Sequence, residues 1–267
     1  MKKIMSCLFM LLAASCLAGC GKRETERAVF DAFESDSAYV ADKGELVVGV
    51  TDFEPLDYKE NGEWIGFDAE MAELFAGELG VYVQFVEIDW NRKTELLNDG
   101  TIDCVWNGMT LNDELQKEMS CSMAYLNNAQ IIIVPKENSE RLQKVEDCMH
   151  LLFAVEAGSA GEAELKKRNY RYTSADSQVD ALVSVSSGKA DAAVIDAVMA
   201  GTLVGVGNQF ETLVCTDVVS SEQFGVGFRK GSDLAERLDA FWKDKSADGT
   251  LQLNAEKYGV QEALLSF

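Results

Sequence analysis

A chain of 267 residues with 45 Asp and Glu against 24 Lys and Arg carries a formal charge of −21, which repels nucleic acid and an anionic bilayer surface and argues against both as partners. Its one histidine, His150, rules out a histidine-rich metal site and leaves no ordinary Ser-His-Asp triad to expect. The acids are spread along the whole chain, as on a solvated exterior.

Lys2 and Lys3 precede an apolar run from Cys7 to Leu17 that ends in Leu17, Ala18, Gly19 and Cys20, the pattern of a secretory signal. The run is shorter than the about 20 apolar residues that a stable span needs. Its last four residues resemble a bacterial lipobox, which implies that Cys20 becomes the lipidated first residue of the mature chain, palmitate-bearing and held to the membrane on its extracytoplasmic side. An ordinary cleaved signal with an incidental cysteine is the alternative. With the signal set aside, Cys104, Cys121, Cys148 and Cys215 stand at unrelated spacings and read as small core residues, with a Cys104 to Cys121 bond as the other option.

Residues 21–43 mix charges with Ser, Ala and Thr without an apolar period and read as a tether or a loosely docked helix. The folded body starts near Gly44, leaving roughly 220 residues, which suits one large or two modest domains. An apolar strand at Leu46 to Val50 precedes a helix with Met71, Leu74, Phe75 and Leu79 on one face, closed by Gly80. A strand at Tyr82 to Ile88, a short helix from Arg92 to Asn98, a strand at Cys104 to Trp106, a helical turn at Asn112 to Met119 and a strand at Gln130 to Val134 follow. This alternation predicts an α/β fold with a mostly parallel sheet.

Pro135 and the polar stretch after it read as a crossover into a second βα series. That series has a strand at Leu152 to Val155, helices at Ala160 to Lys167 and Gln178 to Ser186, a strand at Ala192 to Ile195 and a helix at Ala197 to Val204. A strand at Leu213 to Cys215 leads to a second crossover near Thr216. A strand at Phe224 to Arg229, a helix carrying Leu234, Leu238, Phe241 and Trp242, and a last helix from Thr250 to Tyr258 complete the chain. The expected division is residues 1–20 signal and lipobox, 21–43 tether, 44–134 with 217–267 as lobe 1, and 135–216 as lobe 2.

The order-specific signals are the stretches Leu46 to Asp52, Gly62 to Asp68, Gly100 to Asp103, Gly108 to Thr110, Ala124-Tyr125, Val155 to Ser159, Gly188 to Asp196, Asp248 to Thr250 and Lys257 to Gly259. Together they resemble the polar amino-acid-binding proteins of ABC transporters, the family 3 bacterial solute-binding proteins, over nearly everything after the tether. The resemblance implies a two-lobed, periplasmic-binding-protein-like fold of type II, two βα lobes joined by two hinge strands, closing over a small polar ligand such as an amino acid. It also implies an ABC permease as partner, a monomeric chain, and no cofactor or metal.

Holding a zwitterion takes a cation or helix N-terminus for the carboxylate, an anion for the ammonium and an aromatic wall. The resemblance gives Phe53, flanked by Asp52, as the cleft aromatic, with a core phenylalanine as its alternative, Gly108 and Thr110 as polar contacts, and Asp196 as partner of the ligand ammonium. Trp106 is a second candidate wall, with a place in the lobe core as its alternative. Gly158-Ser159 precedes a helix, whose N–H groups favour an anion. Plain helix-capping roles compete for Thr110 and Asp196. Two departures stand out: the family's carboxylate-gripping arginine is Leu115 here, and the hydroxyl residue expected after Ser159 is Ala160. Lys93 is the candidate replacement cation, with a solvated lysine as the alternative. A same-fold dehydratase with an acid such as Glu162, and a sensor presenting its ligand to a receptor, are the competing functions.

Overall fold

The structure is a computed structural model and describes residues 33–267; the signal, Cys20 and the start of the tether lie outside the described residues. The end of the region read as tether is a docked helix, α1 (Asp36–Lys43). Ser35 caps it through its side chain, Val40 is fully buried, Ser37 donates to Asp233, and Asp36 pairs with Arg229 at 3.1 Å. These long-range contacts offset the entropy that a tether would keep.

In chain order β1 (Glu45–Val50) leads to a hairpin of β2 (Tyr58–Glu60) and β3 (Glu63–Ile65), then α2 (Phe67–Leu79) and β4 (Tyr82–Glu87). The hairpin went unforeseen although Asn61-Gly62 carries its signal: both residues have positive φ, the requirement of a tight two-residue hairpin turn. On α2, Met71 and Phe75 are buried as the apolar period predicts, but Leu74 is 42 % exposed, because the face in contact is completed by Ala72 and Ala76 instead.

A 3-10 turn at Trp90–Arg92 runs into α3 (Lys93–Asn98), followed by β5 (Cys104–Thr110), α4 (Asp113–Glu118), β6 (Met119–Cys121) and β7 (Leu126–Pro135). Next come β8 (Leu152–Glu156), α5 (Ala160–Arg168), β9 (Arg171–Ala175), α6 (Gln178–Ser186), β10 (Ala192–Asp196) and α7 (Ala197–Leu203). One strand, β11 (Leu213–Arg229), replaces the two separate strands expected at its ends, and α8 (Leu234–Ala247) and α9 (Thr250–Lys257) close the chain.

The sheet order is β4-β1-β5-β11-β7-β10-β8-β9. Pairs within each half are parallel, β1 with β4 and β5, β8 with β10 and β9. The middle is antiparallel, because β11 returns along β5 and β7, and β7 runs against β10. The expectation of a mostly parallel sheet therefore holds inside the halves and fails where the chain crosses between them. Within β7, Leu126 pairs with Phe224 at one end, while Ile131 to Ile133 pair with Ala193 to Ile195 of β10 at the other. Pro135, the expected crossover, is the last residue of this strand.

The largest apolar cluster packs Phe75, Trp106, Phe241 and Trp242 edge to face, with Tyr125 stacked on Trp242 at 5.0 Å. Each such side chain contributes about 1.5–3 kcal/mol by burial. The four cysteines among the described residues are free thiols, so the Cys104 to Cys121 bond does not form; Cys104 and Cys148 are core residues as expected, whereas Cys121 is half-buried and Cys215 is exposed. His150 is exposed and away from the cleft.

Candidate functional site

A cavity of about 360 Å³ opens where β5, β7 and β10 approach the starts of α3, α4 and α5. Phe53, Lys93, Gly108, Thr110, Gly158, Ser159 and Asp196 line it, with Leu115, Ala160 and Glu162. Asp52 and Trp106 do not. Asp52 is exposed, beyond the end of β1. Trp106 has no exposed surface and packs on Phe75 and Trp242. Trp106 has the strand parity of Gly108 and Thr110 but lies deeper along β5, and its contacts with Phe75 and Trp242 place it in the lobe interior. The aromatic facing Phe53's side of the cavity is Trp90, from the 3-10 turn before α3.

At the floor, β7 lies between β11 and β10, and its register sets Asn128 opposite Glu222 and Gln130 opposite Asp196. Asn128 and Gln130 are two residues apart, so they share one face of the strand. Gln130 Nε2 donates to Asp196 Oδ1 at 2.6 Å and to Glu222 Oε1 at 2.8 Å. Asn128 Nδ2 donates to the same two oxygens at 2.5 and 2.6 Å. Gln178 at the start of α6 donates to Asp196 Oδ2 and accepts from the Asp196 N–H at 2.9 Å. With its oxygens so engaged, Asp196 makes no side-chain cap on α7. Burial, and then the charge of Glu222, push the Asp196 carboxyl well above the usual range.

Thr110 Oγ1 donates to Glu222 Oε1 at 2.8 Å, and the cap of α4 falls to Asn112, whose side chain accepts from Glu114 and Leu115. Gly108 has φ +56°, and a Cβ there would stand 2.5 Å from Phe53 Cε1. Its N–H is taken by Asp68 Oδ2 at 2.9 Å, so what it gives the cavity is room for the Phe53 ring. Asp68 also accepts from the Tyr125 hydroxyl at 2.6 Å, and burial lifts its carboxyl to about 6.

Lys93 is 7 % exposed, which removes the solvated-lysine reading. Its Nζ lies 4.5 Å from the Trp90 ring centre and donates to Trp90 O at 3.2 Å and Gly158 O at 3.1 Å. Burial brings its pKa down to about 8, against the charge of Glu156. Glu156, 5 % exposed at the end of β8, is pushed up to about 7 by burial, with Lys93 opposing. Gly158 has φ +72° and fits against Asn91, whose Oδ1 would be 2.8 Å from a Cβ. The start of α3 and the start of α5 are thus in contact across the cavity.

The helix N-terminus after Gly158 is already filled. Gly158 N–H donates to Glu162 Oε2 at 3.0 Å, and Ser159 Oγ accepts from Glu162 N–H at 3.1 Å. Burial alone would raise Glu162, but hydrogen bonds from Lys166, Gly158 and Ser174 outweigh it and hold the carboxyl below its ordinary value. Glu162 is therefore ionised at neutral pH. Among the described residues no group of three or more His, Cys, Asp or Glu could hold a metal ion, and no helix is long and apolar enough to cross a membrane.

A carboxylate on hinge-like strands, an aromatic at the end of β1 and a glycine-opened edge of β5 meet in one cleft, in the order that the sequence motifs follow. The model of the family "Bacterial extracellular solute-binding proteins, family 3" matches residues 46–261. The chain belongs to this family. Among its family 3 relatives is the arginine-binding extracellular protein ArtP of Bacillus subtilis, 26% identical over 263 residues that span 95% of this chain and 98% of ArtP. The L-cystine-binding protein TcyJ of Escherichia coli is 28% identical over 225 residues, 82% of this chain and 84% of TcyJ. A crystal structure of a mutant of ArgBP from T. maritima superposes with a TM-score of 0.79 at 30% identity, covering 84% of this chain and 99% of that one. The ancestral amino acid-binding protein AncCDT-1, described as a precursor of cyclohexadienyl dehydratase, gives a TM-score of 0.77 at 30% identity over 84% of this chain and 99% of that one. This family 3 chain therefore has the two-lobed α/β fold of extracellular solute-binding proteins.

Absent from the sequence reading were Gln130, Glu156 and Gln178, which line the cavity, and Asn128 and Glu222, which bond to its lining residues from behind. The polar residues Asn128 and Gln130 at period two, just before the Ile-Ile-Ile run of β7, were the available signal. Glu156, Gln178 and Glu222 are single acids and amides in a chain rich in both, and only the folded strands and the start of α6 bring them near Asp196.

Proposed function

We propose that this chain captures a small amino compound, an amino acid or a derivative of one, outside the cytoplasm and delivers it to the permease of an ABC importer while a lipid on Cys20 holds it to the membrane. The observation that carries the reading is the buried Asp196 carboxyl facing a cavity that Phe53 and Trp90 wall, of the size and polarity for one small molecule. The amino-acid-binding relatives support the ligand class, and the signal-like first residues support export and anchoring. Closing would turn the two halves about β7 and β11, near Gln130 and Ser220, where pairing passes from one half to the other. The ligand contacts we assign are Phe53, Trp90, Thr110, Gln130 and Asp196, with Lys93 joining the lobes above them.

We read the cleft as a binding site, not a catalytic one. The dehydratase reading took Glu162 as its acid, and Glu162, held ionised, has no proton to give to a leaving group. A thermal-shift screen of the purified protein against the amino acids and their amines tests capture. A ligand at about 100 times its dissociation constant should add about 2.7 kcal/mol. No shift with any of them would remove the reading. Metabolic palmitate labelling tests the anchor, with Cys20→Ala expected to lose the label and release the protein from membranes.

A further inference from the structure

The charges around the cavity do not balance. Glu114, Glu118, Glu156, Glu162 and Asp196 face it against Lys93 and Lys166. Both lysines already have partners: Lys166 pairs with Glu162 at 2.9 Å, and Lys93 spends donors on two carbonyls. Glu114 and Glu118 make no ion pair among the described residues. At the floor, Asp196 sits with Glu222, and neutral donors satisfy them, the amides of Asn128, Gln130 and Gln178 and the Thr110 hydroxyl. Amides can meet hydrogen-bond directions but cannot cancel charge, and buried carboxylates clustered without a cation are costly.

Around Gly158 and the start of α4 the cleft lacks the family's carboxylate grip, and the buried cation there, Lys93, has two of its three donors on carbonyls. Position 115 is leucine, so no guanidinium fork is present. The hydroxyl after Ser159 is replaced by Ala160, and the Gly158 N–H is occupied by Glu162. The two N–H groups that open α4 are occupied by Asn112. A free carboxylate entering here would meet Glu162, Glu114 and Glu118.

We propose that the cleft recognises its ligand through an ammonium or guanidinium seated on Asp196, with Glu222 behind it, and that it needs no carboxylate on the ligand. This rests on the capture reading and sharpens its ligand class to a small organic cation: an amine or guanidine, with cationic amino acids bound through their cationic groups. The raised state of Asp196 agrees with a carboxyl that keeps a proton until a cation displaces it.

The test is calorimetric titration of the purified protein with matched pairs, arginine and agmatine, lysine and cadaverine, histidine and histamine, cystine and cystamine. We expect that, for at least one pair, the decarboxylated amine binds within about tenfold of its amino acid or tighter. If amino acids bind and every matching amine is weaker by more than about tenfold, a carboxylate grip exists and this inference fails while capture stands. If no member of any pair binds, the capture reading fails and this inference with it.

Discussion

Asp196 and Glu222 accept hydrogen bonds from the same two amide groups, Asn128 and Gln130, on the strand that separates theirs. The arrangement ties β10 to β11 through β7 where the two halves of the chain meet. A cation arriving on Asp196 therefore acts on both hinge strands at once, which gives ligand binding a route to the relative position of the lobes.

Glu156 gives a stability prediction with a definite sign. Its folded pKa of about 7 lies above the ordinary carboxyl value, so between about 4.5 and 7 the folded state holds more protons than the unfolded one. Stability of the ligand-free protein falls as pH rises through that window, by on the order of 3 kcal/mol from this group. Glu156→Gln should flatten the dependence in urea titrations at pH 5 and pH 7.5. An unchanged slope would mean that Glu156 is more hydrated than the structure has it.

Lys93 joins the two sides of the cleft through Gly158 O. Lys93→Met keeps the stem over Trp90 but removes the donors, and loses about 1 kcal/mol or more of closed-state stabilisation. Small-angle scattering of the ligand-free variant should show a larger radius of gyration than wild type. Identical profiles would mean that other contacts keep the cleft shut.

Leu115 stands where the family resemblance implies an arginine, and the side chain lines the cavity. Leu115→Arg restores a bidentate carboxylate donor and should favour an amino acid over its amine by about tenfold or more relative to wild type. Equal ratios in wild type and variant would show that position 115 does not reach the ligand.

Trp106 and Phe53 are both buried in the core cluster, but only Phe53 also lines the cavity. Trp106→Ala should cost about 3–5 kcal/mol in unfolding free energy, because it empties the contact between Phe75 and Trp242. Phe53→Ala, at the cavity, should weaken ligand binding by more than it lowers stability relative to Trp106→Ala. Chemical denaturation and calorimetry on both variants give the comparison, and a Trp106 variant that folds stably but fails to bind would return that residue to the cleft.

Much of the fold was legible because its elements follow local rules. The Gln178–Ser186 helix and the βα alternation follow apolar period and glycine stops, and Phe53, Gly108 and Asp196 sit at motif positions whose order is specific. What escaped depended on partners distant in sequence. Whether Trp106 lies in cleft or core is decided by where along β5 the contacts with Phe75 and Trp242 fall, and the continuity of β11 through the polar run from Ser220 to Gln223 is decided by β7 beside it. Leu115 and Ala160 were visible as departures, but their meaning needed Glu162 on Gly158 and Glu222 beside Asp196, pairs that only the folded chain brings together.

The most direct test compares wild type with Asp196→Asn in calorimetric titrations with the best-binding cation at pH 7.5. The substitution keeps the shape and cannot carry a charge, but its Nδ2 replaces one of the two oxygens that accept from Asn128, Gln130 and Gln178. A melting curve therefore first establishes that the variant is folded. Affinity should fall by at least about 2 kcal/mol, roughly thirtyfold. Binding at wild-type strength by a folded Asp196→Asn protein would contradict the account, since the cation would then be held elsewhere.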